Sequence, residues 1–122
     1  MSGNKYLADT NAFIYLLQKH AGLEALLDET WYFSFITEIE LLSKSGLTDQ
    51  EIAIIKNTLN AATKVIHRDE IDEIAIRLRR SLSIKTPDAI IAATALFLDI
   101  PLISGDKVFS KVDSLDLIFI EP

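Results

Sequence analysis

Cysteine is absent from the 122 residues. That excludes disulfides, thiol nucleophiles and thiolate metal sites. Only two histidines, His20 and His67, occur, far apart in the chain, so a structural zinc site is not expected either. Four glycines and three prolines are too few for a linker or a low-complexity tract. No apolar run approaches the roughly 18–20 residues of a membrane span, which removes the membrane as a partner. Met1 to Lys5 does not read as a signal peptide, and the expected location is cytoplasmic. Positive charge is in deficit: 12 Lys and Arg stand against 18 Asp and Glu, a net −6. A passive, charge-driven coat for nucleic acid is therefore excluded. An enzyme whose acids are neutralised by a metal ion is not.

What the chain has is an ordinary globular composition, 49% hydrophobic and 25% charged, at a length that suits one domain over 1–122. Tyr6 to Ala8 is a short apolar run that stops at Asp9, and an amphipathic stretch follows from Ala12 to Leu17. That is a buried strand leading into a helix. Leu16, Leu17 and then Leu23, Leu26 and Leu27 read as a pair of short helices broken near Gly22. Tyr32 to Ile36 is a second strand, and Thr37-Glu38-Ile39-Glu40 opens a helix ending near Ser45-Gly46. Thr48 to Glu51 is a capping box before Ile52, Ile55 and Leu59 on one helical face. Thr63 to Ile66 is a third strand. Asp69 caps a helix carrying Ile71, Ile74, Ala75, Leu78 and Leu82.

Thr86-Pro87-Asp88 supplies an N-cap, a first-turn proline and an acid for the next helix. Its body, Ala89 to Leu98, is apolar almost all round and belongs in the interior. Pro101 to Ile103 and Leu117 to Ile120 complete five strands. Strands joined by helical crossovers lie mostly parallel, with helices on both faces. The expected fold is a three-layer α/β/α sandwich.

In that fold Asp9 and Asp106 fall at strand carboxyl ends, where open α/β sheets bind ligands. Glu40 and Asp88 fall in the first turns of helices at the same edge. Four carboxylates in one cleft repel unless protonated or bound to a cation. Oxygen donors without His or Cys favour Mg²⁺ or Mn²⁺, which activates water and stabilises charge on a phosphodiester. Each acid also has a plainer use. Glu40 completes a capping box with Thr37, Asp88 serves the helix dipole, and Asp9 and Asp106 belong to turns. The common edge is what favours a site. Asp49, Glu51, Asp69, Glu70, Asp72 and Glu73 are ordinary helix-start or surface acids. Arg77, Arg79, Arg80 and Lys85 form the densest run of positive charge, a solvated face or a phosphate-contacting one.

The segments Leu7-Ala8-Asp9-Thr10-Asn11, Ile36 to Leu42, Thr86 to Ala95 and Leu102 to Phe109 together resemble the PIN-domain ribonucleases, in particular the VapC-type toxins of bacterial toxin–antitoxin pairs. The resemblance spans essentially the whole chain. It implies a parallel sheet, Mg²⁺- or Mn²⁺-dependent endonucleolytic cleavage of RNA, a homodimer and a cognate antitoxin. By position it makes Asp9, Glu40, Asp88 and Asp106 the metal-holding acids. It makes Asn11 and Ser104 their polar supports, and it favours Glu40 over Glu38 because Glu40 directly precedes Leu41-Leu42. Many relatives carry one more acid after the position of Asp106, where this chain has Lys107, Val108 and Phe109.

Three alternatives differ in what they require. A receiver-like signalling domain needs a phosphorylatable Asp ending its middle strand, whereas the third strand here runs into Ile66-His67-Arg68. A non-catalytic RNA-binding module does not need all four acids. An RNA-processing nuclease without an antitoxin shares the same chemistry.

Overall fold

The computed structural model describes residues 4–17 and 29–121. Of the expected helix pair, Leu16 and Leu17 end a helix in those residues, whereas Gly22, Leu23, Leu26 and Leu27 lie outside them. The alternation read in the first apolar run decides the layering. In β1 (Lys5–Ala8), Tyr6 and Ala8 join one core and Leu7 joins the other. Opposite faces of one strand thus feed two separate apolar layers.

Four further strands extend β1: β2 (Thr30–Ser34), β3 (Thr63–Val65), β4 (Leu102–Ser104) and β5 (Leu117–Phe119). They pair throughout in parallel, in the order β3-β2-β1-β4-β5. A receiver-like fold has the order 2-1-3-4-5, so that alternative is ruled out by topology. Helices α1 (Thr10–Leu17), α2 (Phe35–Leu42) and α3 (Asp49–Asn60) cover one face through Phe13, Leu41, Ile55 and Leu59. Helices α4 (Asp69–Ser81) and α5 (Thr86–Leu98) cover the other through Ile71, Ala75, Ala92 and Ala93. The three-layer α/β/α sandwich is therefore present. Leu7, Leu102 and Ile103 at its centre are wholly buried. Truncating any of them to alanine costs about 2–5 kcal/mol.

Several element ends differ from the sequence reading, each for a local reason. The second strand ends at Ser34 rather than Ile36, because the Ser34 hydroxyl accepts the Ile36 N–H at 3.1 Å and starts α2 there. Helix α2 then ends at Leu42, short of Ser45-Gly46. Ile66 lies beyond β3 and is exposed. Arg68, not Asp69, holds the N-cap position of α4. Likewise Lys85, not Thr86, precedes α5, so Thr86 and Pro87 are its first two residues. The capping box at Thr48 and Glu51 is formed in both directions, at 3.1 and 3.0 Å.

Candidate active site

From β1 the chain steps outward to β2 and β3, and from β4 it steps the other way to β5. The boundary between β1 and β4 is the switch point of the sheet, where a crevice opens beyond the carboxyl ends. Asp9 follows β1 and Asp106 follows β4 by two residues, so both flank that crevice.

Asp9 is 3% exposed, and both its oxygens are engaged. Oδ1 accepts the Ala12 N–H at 2.8 Å, and Oδ2 accepts the Ser104 hydroxyl at 2.5 Å. The Ser104 oxygen in turn accepts the Asp106 N–H at 2.9 Å. Asp106 Oδ1 accepts the Val108 N–H at 3.0 Å and so caps the 3₁₀ turn Lys107–Lys111. The turn roles read for Asp9 and Asp106 are thus real, and they serve to aim the carboxylates. Between Ser104 and Asp106, Gly105 leaves no room for a side chain. A Cβ there would meet the Tyr15 ring at 2.9 Å and the Ile120 carbonyl at 3.1 Å.

Burial pushes the Asp9 carboxyl up to about 6, against the pull of Ser104 and the Ala12 N–H, and Asp106 and Asp88 push the same way as burial. Asp88, the third residue of α5, is also raised, first by burial, then by Asp106 and Glu40, with Lys85 opposing. An acid present only for the helix dipole is held in its charged form. Asp88 is pushed the other way.

Glu40 is the sixth residue of α2, beyond the first turn, and Ser34 is the cap. The capping-box reading of Thr37 and Glu40 therefore fails. Glu40 is exposed and accepts the Thr10 hydroxyl at 2.6 Å, while Thr10 also reaches Thr37 Oγ1 at 3.4 Å. Glu38 is drawn aside to Lys64 at 3.2 Å. Mutual repulsion links Asp9 to Asp106 and Asp88, and Asp88 to Asp106 and Glu40, so the four acids share one electrostatic neighbourhood.

Asn11 is exposed on α1, and the bonds that hold Asp9 come from Ser104 and Ala12 instead. The basic run divides. Arg79 and Lys85 line a cleft of about 560 Å³ with Asp88 and Asp106, whereas Arg77 and Arg80 are not among its walls. Two contributors were missed in the sequence: Thr10, which orients Glu40, and Lys111, which lines the same cleft. Thr10 stood in plain view beside Asp9. Lys111 becomes relevant only once the 3₁₀ turn is known.

Among the described residues, three candidate ligand atoms within 4.8 Å of one another occur at His67, Asp69 and Asp72. These are surface groups, with His67 Nδ1 3.2 Å from Asp72 Oδ1. Neighbouring Arg68 lies over Phe97 at 5.0 Å, near the opposite end of α5 from Asp88. No three of the cleft acids meet within 4.8 Å.

The PIN-domain family model matches residues 6–115. The chain belongs to the PIN-domain family. PIN domains are nucleases, and they generally work with divalent metal ions. Solved structures similar to this PIN domain include chains of toxin–antitoxin complexes. One is VapBC2 of Rickettsia felis bound to a promoter DNA fragment, at TM-score 0.80 and 23% identity over 96% of this chain and 99% of that one. Another is a toxin–antitoxin complex of Klebsiella pneumoniae, at TM-score 0.78 and 26% identity, covering 93% of this chain and 95% of that one. VapBC-1 of nontypeable Haemophilus influenzae gives TM-score 0.75 and 25% identity, covering 94% and 97%. The search of curated proteins gives no match. The resemblance to VapC-type PIN domains read from the sequence is borne out.

Proposed function

We infer that this PIN domain is a Mg²⁺- or Mn²⁺-dependent endoribonuclease, the toxin of a toxin–antitoxin pair. The observation that carries this is the shared electrostatic neighbourhood of Asp9, Glu40, Asp88 and Asp106 at the sheet's switch point. Burial and then mutual repulsion raise the Asp9 and Asp88 carboxyls, which a bound cation would offset, and an all-oxygen donor set suits a hard divalent cation. Asp9, Asp88 and Asp106, with Glu40, would hold it. When bound, such an ion supplies Lewis-acid charge to a phosphodiester and lowers the pKa of water.

The protein's own groups prepare that chemistry. Ser104 is wholly buried and bonded to both Asp9 and the Asp106 N–H, so it positions acids and is not a nucleophile. Its bond and that of Ala12 favour the charged form of Asp9 against burial. Glu40, exposed and oriented by Thr10, is placed to hold a water by hydrogen bonding at the rim. With the Ser104 hydroxyl committed to Asp9 and that of Thr10 to Glu40, hydrolysis by water is the fitting reaction.

The antitoxin is part of the same proposal, supported by the toxin–antitoxin complexes among the structural neighbours. A mainly apolar groove of about 270 Å³ opens beside Glu40, walled by Ile14, Leu41, Leu47, Ile54 and Ile55, with Lys44 and Glu51 also lining it. A partner's apolar segment seated there reaches the acids. The test is cleavage of single-stranded or looped RNA with Mg²⁺ or Mn²⁺, beside Asp9→Asn. Undiminished cleavage in excess EDTA would overturn the reading.

A further inference from the structure

The cleft on the far side of Asp88 and Asp106 has cations for its outer wall: Arg79 from α4, Lys85 from the α4–α5 loop and Lys111 from the 3₁₀ turn. Two of them grip that loop. Arg79 Nε donates to the Ile84 carbonyl at 3.1 Å, and Lys111 Nζ donates to the Ser83 carbonyl at 3.0 Å. Each bond uses one donor and leaves others, since an ammonium has three and a guanidinium five. Among the described residues, none of these three cations forms an ion pair with a carboxylate. Lys85 nonetheless lies close enough to Asp88 to oppose the rise in its pKa. Three cations without paired acids beside a row of acids form a divided field. One half suits a metal ion and the other suits an anion.

On a polynucleotide the phosphates recur at every residue, so a strand whose scissile phosphate lies over the acids must place an adjoining phosphate on one flank. The groove on the Glu40 side is mainly apolar, whereas the Asp88–Asp106 side is polar and cationic. We propose that Lys85 and Lys111, with Arg79 behind them, form a phosphate subsite for the linkage adjoining the scissile one on single-stranded RNA. The subsite rests on the nuclease reading. It gives the substrate a preferred direction across the cleft, because three cations line the Asp88–Asp106 flank and Lys44 alone lines the other.

Arg77 supplies the internal control. Two residues from Arg79, it points about 200° away around α4, and it does not line the cleft. The variants are Lys85→Gln and Lys111→Gln, which remove charge while a glutamine can still donate to the loop, with Arg77→Gln beside them. Binding of a short single-stranded RNA is measured in Ca²⁺ across a salt series. Each cleft variant is expected to flatten the dependence of log K on log salt by about 0.7, and Arg77→Gln to leave it unchanged. Cleavage in Mg²⁺ is then compared between an all-phosphodiester strand and strands with one neutral methylphosphonate on either side of the cleaved bond. Lys85→Gln and Lys111→Gln are expected to lower kcat/KM about tenfold, in line with loss of one charged contact. A methylphosphonate on one flank only should cost wild type a similar factor and the variants little more. Equal slopes for all three variants, or additive losses on both flanks, overturn the subsite. Absence of cleavage by wild type, with the slopes as expected, overturns the nuclease reading and leaves a nucleic-acid-binding cleft.

Discussion

Ser104 donates its hydroxyl hydrogen to Asp9 across 2.5 Å, tying the end of β4 to the end of β1 at the switch point. The same oxygen receives the Asp106 N–H. One hydroxyl thus fixes two acids relative to each other before any ligand arrives, which is the preorganisation that electrostatic catalysis depends on.

Ser104→Ala removes that hub. It leaves a buried carboxylate oxygen and a main-chain N–H short of a partner, at a cost of about 1–3 kcal/mol. Losing the bond also removes a force that lowers the Asp9 pKa, so the acid limb of activity against pH is expected to move to higher pH. Urea unfolding and a pH–rate profile check the two effects separately.

The raised Asp9 carboxyl has a thermodynamic signature. With a folded value of about 6 against 3.8 ordinarily, the native state holds the proton more tightly than the unfolded chain. The stability this contributes is complete below about pH 4 and is lost as pH rises through about 6. Metal-free protein is therefore expected to lose on the order of 3 kcal/mol from this group between those values. Asp88 acts in the same direction. Asp9→Asn flattens the slope, and thermal melts in EDTA from pH 4 to 7.5 measure it.

Metal binding is expected to reverse the strain. Mg²⁺ or Mn²⁺ at a hundred times its dissociation constant is expected to stabilise wild type by about 2.7 kcal/mol. Asp88→Asn should be as stable as wild type, or more so, in EDTA and should gain much less from metal. Asp72→Asn, at the His67 surface group, should respond like wild type. Melts with and without metal decide, and a destabilised metal-free Asp88→Asn would return that residue to a helix-capping role.

Gly105→Ala tests how tightly Asp106 is held. The added methyl must displace the Tyr15 ring or the Ile120 carbonyl. Overpacking of this kind costs about 1–3 kcal/mol. Because Asp106 is the next residue, metal affinity should fall as well. Isothermal titration with Mn²⁺ beside a melt shows whether both change.

Much of the molecule was legible in the chain. The β1 run ending at Asp9, the all-apolar α5 and the carboxylates at one edge follow from periodicity and topology alone, because parallel sheets leave few ways to connect such elements. What could not be read was set by short-range competition or by distance. Ser34, not Thr37, caps the helix: both residue types are good caps, Ser the better, and β2 ends at Ser34 with its pairing to Val65. The division of the basic run depends on helix phase: Arg79 turns to the cleft and Arg77 away from it. Thr10 with Glu40 and Lys111 with Ser83 are contacts across 30 and 28 residues, which no local pattern encodes.

The bond between Asp9 and Ser104 joins residues 95 apart in the sequence. During synthesis at roughly 5–20 residues per second, the first acid therefore waits several seconds for its partner to be made. A chain stopped before β4 has its first strand, most of its helices and three of its four acids, yet no closed site. The order of synthesis thus makes closure of the acid cluster one of the last events in the life of the growing chain.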